Sequence, residues 1–291
     1  MQKALGFIGL GVMGFPMAGH LATKGYKVSV FNRTLRKSQD WIEKYNGTLC
    51  KSLSELAESS EVIFLCVGND DDVKNIINGD NGIINYLKPG TILIDHTTTS
   101  AELPIELNKS LHLKKANLLD APVSGGQAGA ESGILSVMVG GNKESYKNVK
   151  EIISAYSKFI KYMGESGSGQ LTKMVNQICI AGLIQALAEG INFSDEVGLN
   201  TKDVIEVISK GAAQSWQMEN RWETMINDEY DHGFAVDLMR KDLDIVLKKA
   251  EKNNIPIDIT KVVNNYYKDI QKAGGGRLDT SSLLKRIKDL I

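Results

Sequence analysis

Gly9-Leu10-Gly11-Val12-Met13-Gly14 is the first place along the chain where residue types and spacing point to chemistry. It follows an apolar run and opens a helical pattern. In that setting the first glycine permits a tight turn, the second lets backbone approach a pyrophosphate, and the third packs helix against strand. The helix then turns its exposed N–H groups and positive dipole end toward the phosphates. A dinucleotide fits such a turn; the plain alternative is an ordinary glycine-rich turn. After the next apolar run, where an acidic residue would hold the ribose 2′-hydroxyl of NAD, stand Asn32-Arg33-Thr34. A carboxylate there would repel a 2′-phosphate, whereas the Arg33 guanidinium can pair with it and Asn32 and Thr34 can donate hydrogen bonds. The sequence therefore favours NADP, with NAD as the secondary nucleotide.

These residues need elements to position them. Short β-rich runs recur through the first 163 residues, at 4–8, 27–31, 62–67, 91–95, 118–120 and 135–139. Several are continuously apolar, the mark of strands buried on both faces. Helix-like segments such as 15–24, 36–45, 72–77 and 100–111 alternate with them. Repeated β-α order predicts an α/β fold: a Rossmann-type doubly wound domain over 1–163, its mostly parallel sheet covered by helices. Beyond Gly169 the pattern is helical, which predicts an all-helical C-terminal domain over 164–291, joined by a long helix from about 168 to 197. Apolar residues lie all round that helix for several turns, as suits burial between domains or subunits, so a homodimer or homotetramer is expected.

Composition narrows the partners. At 291 residues the chain is long enough for two domains. Lys plus Arg (34) against Asp plus Glu (35) gives a net charge of −1, which supplies no field to hold nucleic acid. The longest apolar stretch, 178–187, is broken by Gln185 and falls short of the roughly 20 residues of a bilayer span, so no membrane partner is expected. Three scattered cysteines form no metal or redox pair and fit a cytoplasmic, reducing compartment. Four histidines lie far apart, and Asp70-Asp71-Asp72 reads as the first turn of a capped helix, so no metal is assigned.

Four segments carry a family resemblance: 9–17; Asp120-Ala121-Pro122-Val123-Ser124-Gly125-Gly126; Gly164-Glu165-Ser166-Gly167-Ser168-Gly169 leading to Lys173; and Lys241-Asp242-Leu243. Together and in this order, the chain resembles the β-hydroxyacid dehydrogenases, which include 3-hydroxyisobutyrate dehydrogenase, 2-hydroxy-3-oxopropionate (tartronate semialdehyde) reductase and glyoxylate/succinic semialdehyde reductase. The resemblance implies that Lys173 is the general acid that protonates a carbonyl oxygen as hydride arrives from the nicotinamide. The chemistry agrees, because hydride addition builds an alkoxide that an ammonium both stabilises and protonates.

Asn176 and Gln177 follow on the same helical face as Lys173. They are candidates to orient the lysine or bind a substrate hydroxyl, although the family commonly has Asn at both positions. The resemblance further implies that Ser124, Gly125 and Gly126 bind the substrate carboxylate, that Thr98 lies by nicotinamide and substrate, and that Val67, Gly68 and Asn69 touch cofactor through backbone. Phe234, Lys241 and Asp242 match a cofactor-facing aromatic, lysine and aspartate. His96 stands where the family often has Met, and no G-x-S-x-G elbow accompanies it to suggest hydrolysis. The expected partner is a small hydroxy acid or its semialdehyde. The alternatives are an imine reductase, which usually lacks this lysine, and a noncatalytic NADP-binding module.

Overall fold

The computed structural model describes residues 3–289, and the chain divides into two compact units, one ending at Lys173 and one beginning at Met174. In the first, β1 (Leu5–Ile8) leads through α1 (Gly14–Thr23) to β2 (Val28–Phe31), and α2 (Leu35–Lys44) to the two-residue β3 (Thr48–Leu49). Next come α3 (Leu53–Ser59), β4 (Val62–Leu65), α4 (Asp70–Asn78), β5 (Ile92–Asp95), α5 (Glu102–Leu113) and β6 (Asn117–Asp120). The unit finishes with β7 (Val123–Ser124), α6 (Gly126–Glu131), β8 (Leu135–Gly140), α7 (Lys143–Ile153), β9 (Ser157–Gly164) and the start of α8 (Ser168–Glu196).

Hydrogen bonds order the sheet β3-β2-β1-β4-β5-β6-β8-β7, with β9 on β8. From β3 to β6 all pairs are parallel. β8 runs antiparallel to β6 and β7, and parallel to β9. Strand order reverses at β1, which lies between β2 and β4, and the C-terminal ends of strands at such a switch point are where parallel sheets take ligands.

The apolar runs split by alternation between the two sheet faces. Leu5, Phe7, Phe64 and Ile94 join one buried cluster, while Ile8, Ile63, Leu65 and Leu93 join another. Phe7 and Phe64 are register partners whose rings stack at 5.7 Å. Full burial of each such side chain stabilises the fold by roughly 1.5–3 kcal/mol. β9 departs from the expected pattern. Lys158, Phe159 and Lys161 are exposed, so the hydrogen bonds of β8, more than burial, hold it as a strand.

In the second unit α8 continues, followed by α9 (Thr201–Ile208), α10 (Trp216–Ile226), α11 (Val236–Lys252), α12 (Asp258–Lys272) and α13 (Leu283–Lys288). Ala181, Ile184, Ala188 and Ile191 of α8 recur at helical spacing and share a core with Met239 and Leu243 of α11 and Val263 and Tyr267 of α12. Other apolar side chains of α8, including Leu183, Phe193 and Val175, are exposed. By length and composition α8 is long and apolar enough to cross a membrane, although its longest uninterrupted apolar run is shorter than a span. Its packed face is nevertheless that of a globular helical core.

Candidate active site

The glycine turn is built as its sequence demands. Gly9 takes φ +97°, and a Cβ there would collide with the Cys66 carbonyl oxygen; one at Gly14 would collide with that of Gly9. A Cβ at Gly11 would meet nothing within 4 Å, so the backbone is open to a ligand at that point. α1 starts at Gly14 with no side-chain cap and no acidic residue in its first turn. Its N-terminal N–H groups and dipole suit a pyrophosphate. The residues present fit a dinucleotide on these grounds.

At the end of β2, Asn32 Oδ1 accepts a hydrogen bond from Leu10 N–H at 2.9 Å, and Asn32 Nδ2 donates to the Thr34 carbonyl at 3.0 Å. The Asn32 side chain thus clasps the glycine turn. Arg33 faces solvent, its side chain 92% exposed, with Nη1 3.8 Å from Asp72 Oδ1. Exposed pairs of this length contribute little.

Asn69 caps α4 by accepting from Asp72 N–H at 2.9 Å. Asp70, Asp71 and Asp72 lie in the first turn, where carboxylates complement the helix dipole. Among the described residues no group of three or more His, Cys, Asp or Glu side chains is placed to hold a metal.

The loop after β5 is tied to its neighbours on both sides. Val67 N–H donates to Thr97 Oγ1 at 3.1 Å, which joins the loops after β4 and β5. On the other side lies the first turn of α8. The Gln170 side chain is wholly buried; its Nε2 donates to the Thr97 carbonyl at 2.7 Å, and its Oε1 accepts from Thr99 N–H at 3.1 Å. The Asp120 carboxylate accepts from Gly167 N–H at 2.8 Å and Gln170 N–H at 3.0 Å, which fixes the start of α8 to the end of β6. Lys173 is only 7% exposed, one turn further along. Asp120 opens one of the segments that carry the resemblance, but its hold on α8, like the contacts of Gln170, is not readable in sequence, because the partners stand 47 to 73 positions away.

Burial pushes the Asp120 carboxyl up to about 6, against the pull of its N–H donors. It pushes Asp95 up to about 7, with Thr97 donors opposing and the Asp120 and Asp70 charges adding to the rise. His96 is pushed down to about 4 by burial. Its Nδ1 lies 2.6 Å from the Ala121 carbonyl and its Nε2 lies 2.8 Å from the Tyr156 hydroxyl. A carbonyl can only accept, so Nδ1 carries the proton and Tyr156 O–H donates to Nε2. His96 is a neutral core residue.

Ser124 lies in register with Ser136 of β8. Gly125 and Gly126 follow with φ +138° and +61°, conformations costly for other residues. A Cβ at Gly126 would meet nothing within 4 Å.

In the second unit, Gln177 Nε2 donates to Asp242 Oδ2 at 2.6 Å, and Gln177 Oε1 accepts from Asn176 Nδ2 at 2.8 Å. Lys241 Nζ lies 3.1 Å from Asp242 Oδ1. The structure thus brings Asn176, Gln177, Lys241 and Asp242 together. Phe234 belongs to another group, its N–H donating to the buried Asp279 at 2.8 Å.

A sheet whose strand order reverses beside an uncapped glycine turn defines a dinucleotide-binding protein. Residues 4–164 match the NAD-binding domain of 6-phosphogluconate dehydrogenase, and residues 167–287 match the NAD-binding domain of NADP-dependent 3-hydroxyisobutyrate dehydrogenase. An uncharacterized oxidoreductase of Shewanella frigidimarina is 51% identical, covering 97% of each chain. The 2-hydroxy-3-oxopropionate reductase of Escherichia coli is 32% identical over 98% of this chain and 97% of its own. The solved structure of Mycobacterium tuberculosis 3-hydroxyisobutyrate dehydrogenase with L-serine has a TM-score of 0.89 at 24% identity, covering 99% of each chain; it speaks to the fold. The chain belongs to the β-hydroxyacid dehydrogenase family and is an NAD(P)-dependent oxidoreductase acting on CH–OH groups.

Proposed function

We propose that this protein is an NADP-preferring reductase and dehydrogenase for a small β-hydroxy acid and its semialdehyde, with Lys173 as the general acid and base. The observation that carries the reading is Lys173 itself, almost completely buried one turn from the loop that holds Thr98. An ammonium held at that place both stabilises and protonates the alkoxide that hydride addition builds on a carbonyl.

When bound, the nicotinamide supplies the hydride for reduction or accepts it in oxidation. The chain does the rest. The Gly9–Gly14 turn and the N-terminus of α1 hold the pyrophosphate, and Arg33 with Thr34 faces the ribose 2′-phosphate. Ser124 and the open backbone of Gly125 and Gly126 hold the substrate carboxylate. As the carbonyl carbon gains hydride, its oxygen takes a proton from Lys173 Nζ; in oxidation Nζ takes the proton back. The exposed apolar side chains of α8 favour a homo-oligomer, and three free thiols favour the cytoplasm.

The test is turnover of 3-hydroxyisobutyrate, tartronate semialdehyde, glyoxylate and succinic semialdehyde with each nucleotide. The reading expects activity on at least one with NADP(H), and loss of that activity in Lys173→Ala with NADPH binding within about threefold of wild type. A fully active Lys173→Ala protein refutes the assigned acid.

A further inference from the structure

We propose that Gln170 is a positioning residue for the reaction, its buried amide fixing the Thr98 loop and the Lys173 turn of α8 in one relation. The role rests on the reading of Lys173 as the proton donor.

The geometry is specific to an amide. Thr98 is flanked by one acceptor, the Thr97 carbonyl, and one donor, the Thr99 N–H. A primary amide offers one donor arm and one acceptor arm, and Gln170 meets both, at 2.7 Å and 3.1 Å. The contact is enclosed, so each bond is strong and neither backbone group has water as a substitute. Asp120 secures the helix start to β6 through Gly167 and Gln170 N–H groups, a separate attachment that does not reach the Thr97–Thr99 backbone.

Lys173 lies three positions after Gln170, on the same helix face. Any shift of that turn against the loop therefore moves Nζ relative to Thr98. A displacement of about 1 Å at a reacting group costs on the order of 100-fold in rate.

Two variants test the role. Gln170→Met keeps length and bulk but makes neither bond. It is expected to lower kcat about 100-fold, leave the NADPH dissociation constant within about threefold, and speed hydrogen exchange at Thr99 N–H. Gln170→Glu keeps the acceptor arm but can donate to the Thr97 carbonyl only when protonated. The ionisable groups on the elements packed there are Asp120 on β6, Asp95 and His96 before the loop, Asp70 of α4, which accepts from Ser100 N–H, and Lys173 on its own helix. Burial and the Asp120 charge hold such a carboxyl protonated above the ordinary range. The ratio of wild-type to Gln170→Glu kcat is thus expected to rise at least about tenfold from pH 6 to pH 9.

A flat ratio with Gln170→Met kcat near wild type overturns the role. So does a Gln170→Met protein that loses melting temperature and NADPH affinity together with kcat, beside a flat Gln170→Glu ratio, for that pattern is general loosening. Wild-type protein inert toward the whole substrate panel refutes the Lys173 reading and this role with it. An active wild type with unaffected variants refutes this role alone.

Discussion

Replacing Asp95 with Asn should change how stability depends on pH, and the size of the change follows from where Asp95 sits. The carboxyl is buried at the end of β5, and burial raises it from 3.8 to about 7. An acid raised in the folded state makes its full contribution below its unfolded pKa, and that contribution is lost as pH rises through the folded one. Moving from 3.8 to about 7 corresponds to about 4 kcal/mol in all, of which roughly 2.5 kcal/mol falls between pH 5 and pH 8. Asn keeps an oxygen for Thr97 N–H, which Asp95 Oδ1 accepts at 2.9 Å, and it does not ionise. Urea unfolding of both proteins at pH 5 and pH 8 measures the difference, and titrations common to both largely cancel. The wild type should lose about 2.5 kcal/mol relative to Asp95→Asn over that interval. Parallel pH profiles would show that Asp95 does not titrate from a buried site, and the account of the β5 end would fail.

Two contrasts probe the cofactor end. Gly11→Ala places a methyl in open space, so the melting temperature should hold while NADPH affinity, read by fluorescence titration, falls at least about tenfold, because the methyl stands where backbone meets pyrophosphate. Gly14→Ala drives a methyl into the Gly9 carbonyl and should lower stability by about 1–3 kcal/mol as well as binding. Arg33→Ala should weaken NADPH about 10- to 100-fold, the worth of one charged hydrogen-bonding partner, and leave NADH unchanged; equal losses for both nucleotides would refute the 2′-phosphate assignment.

Much of the sheet was legible because buried parallel strands carry a strong signal. The runs around Phe7, Val30, Phe64, Ile94, Leu119 and Val137 are apolar enough to be read without knowing their partners. β3 and β7 span two residues each, too short for any period to show, and β9 exposes Lys158, Phe159 and Lys161 with no regular alternation. At the site, Gly9, Gly11 and Gly14 announce themselves by spacing; Gly9 and Gly14 answer local steric needs, and Gly11 leaves the backbone open. Asn32 was legible as a polar residue at the right place, but its bond to Leu10 is a tertiary contact. The contacts of Gln170 and Asp120 were hidden for the same reason, although Asp120 heads a segment that carries the resemblance: a buried polar side chain is explained by partners the fold supplies, and no neighbour in sequence hints at them. His96 is the converse, a residue whose type suggests catalysis and whose surroundings make it part of the core.

The Asn32 clasp bears on how coenzyme choice can drift over evolution. With that side chain engaged by Leu10 and Thr34, the proposed discrimination between phosphorylated and plain ribose falls to two neighbours on the protein's outer skin. Arg33 is so exposed that a change there leaves the underlying sheet intact, and under the proposed reading coenzyme choice can drift at that surface without cost to the fold.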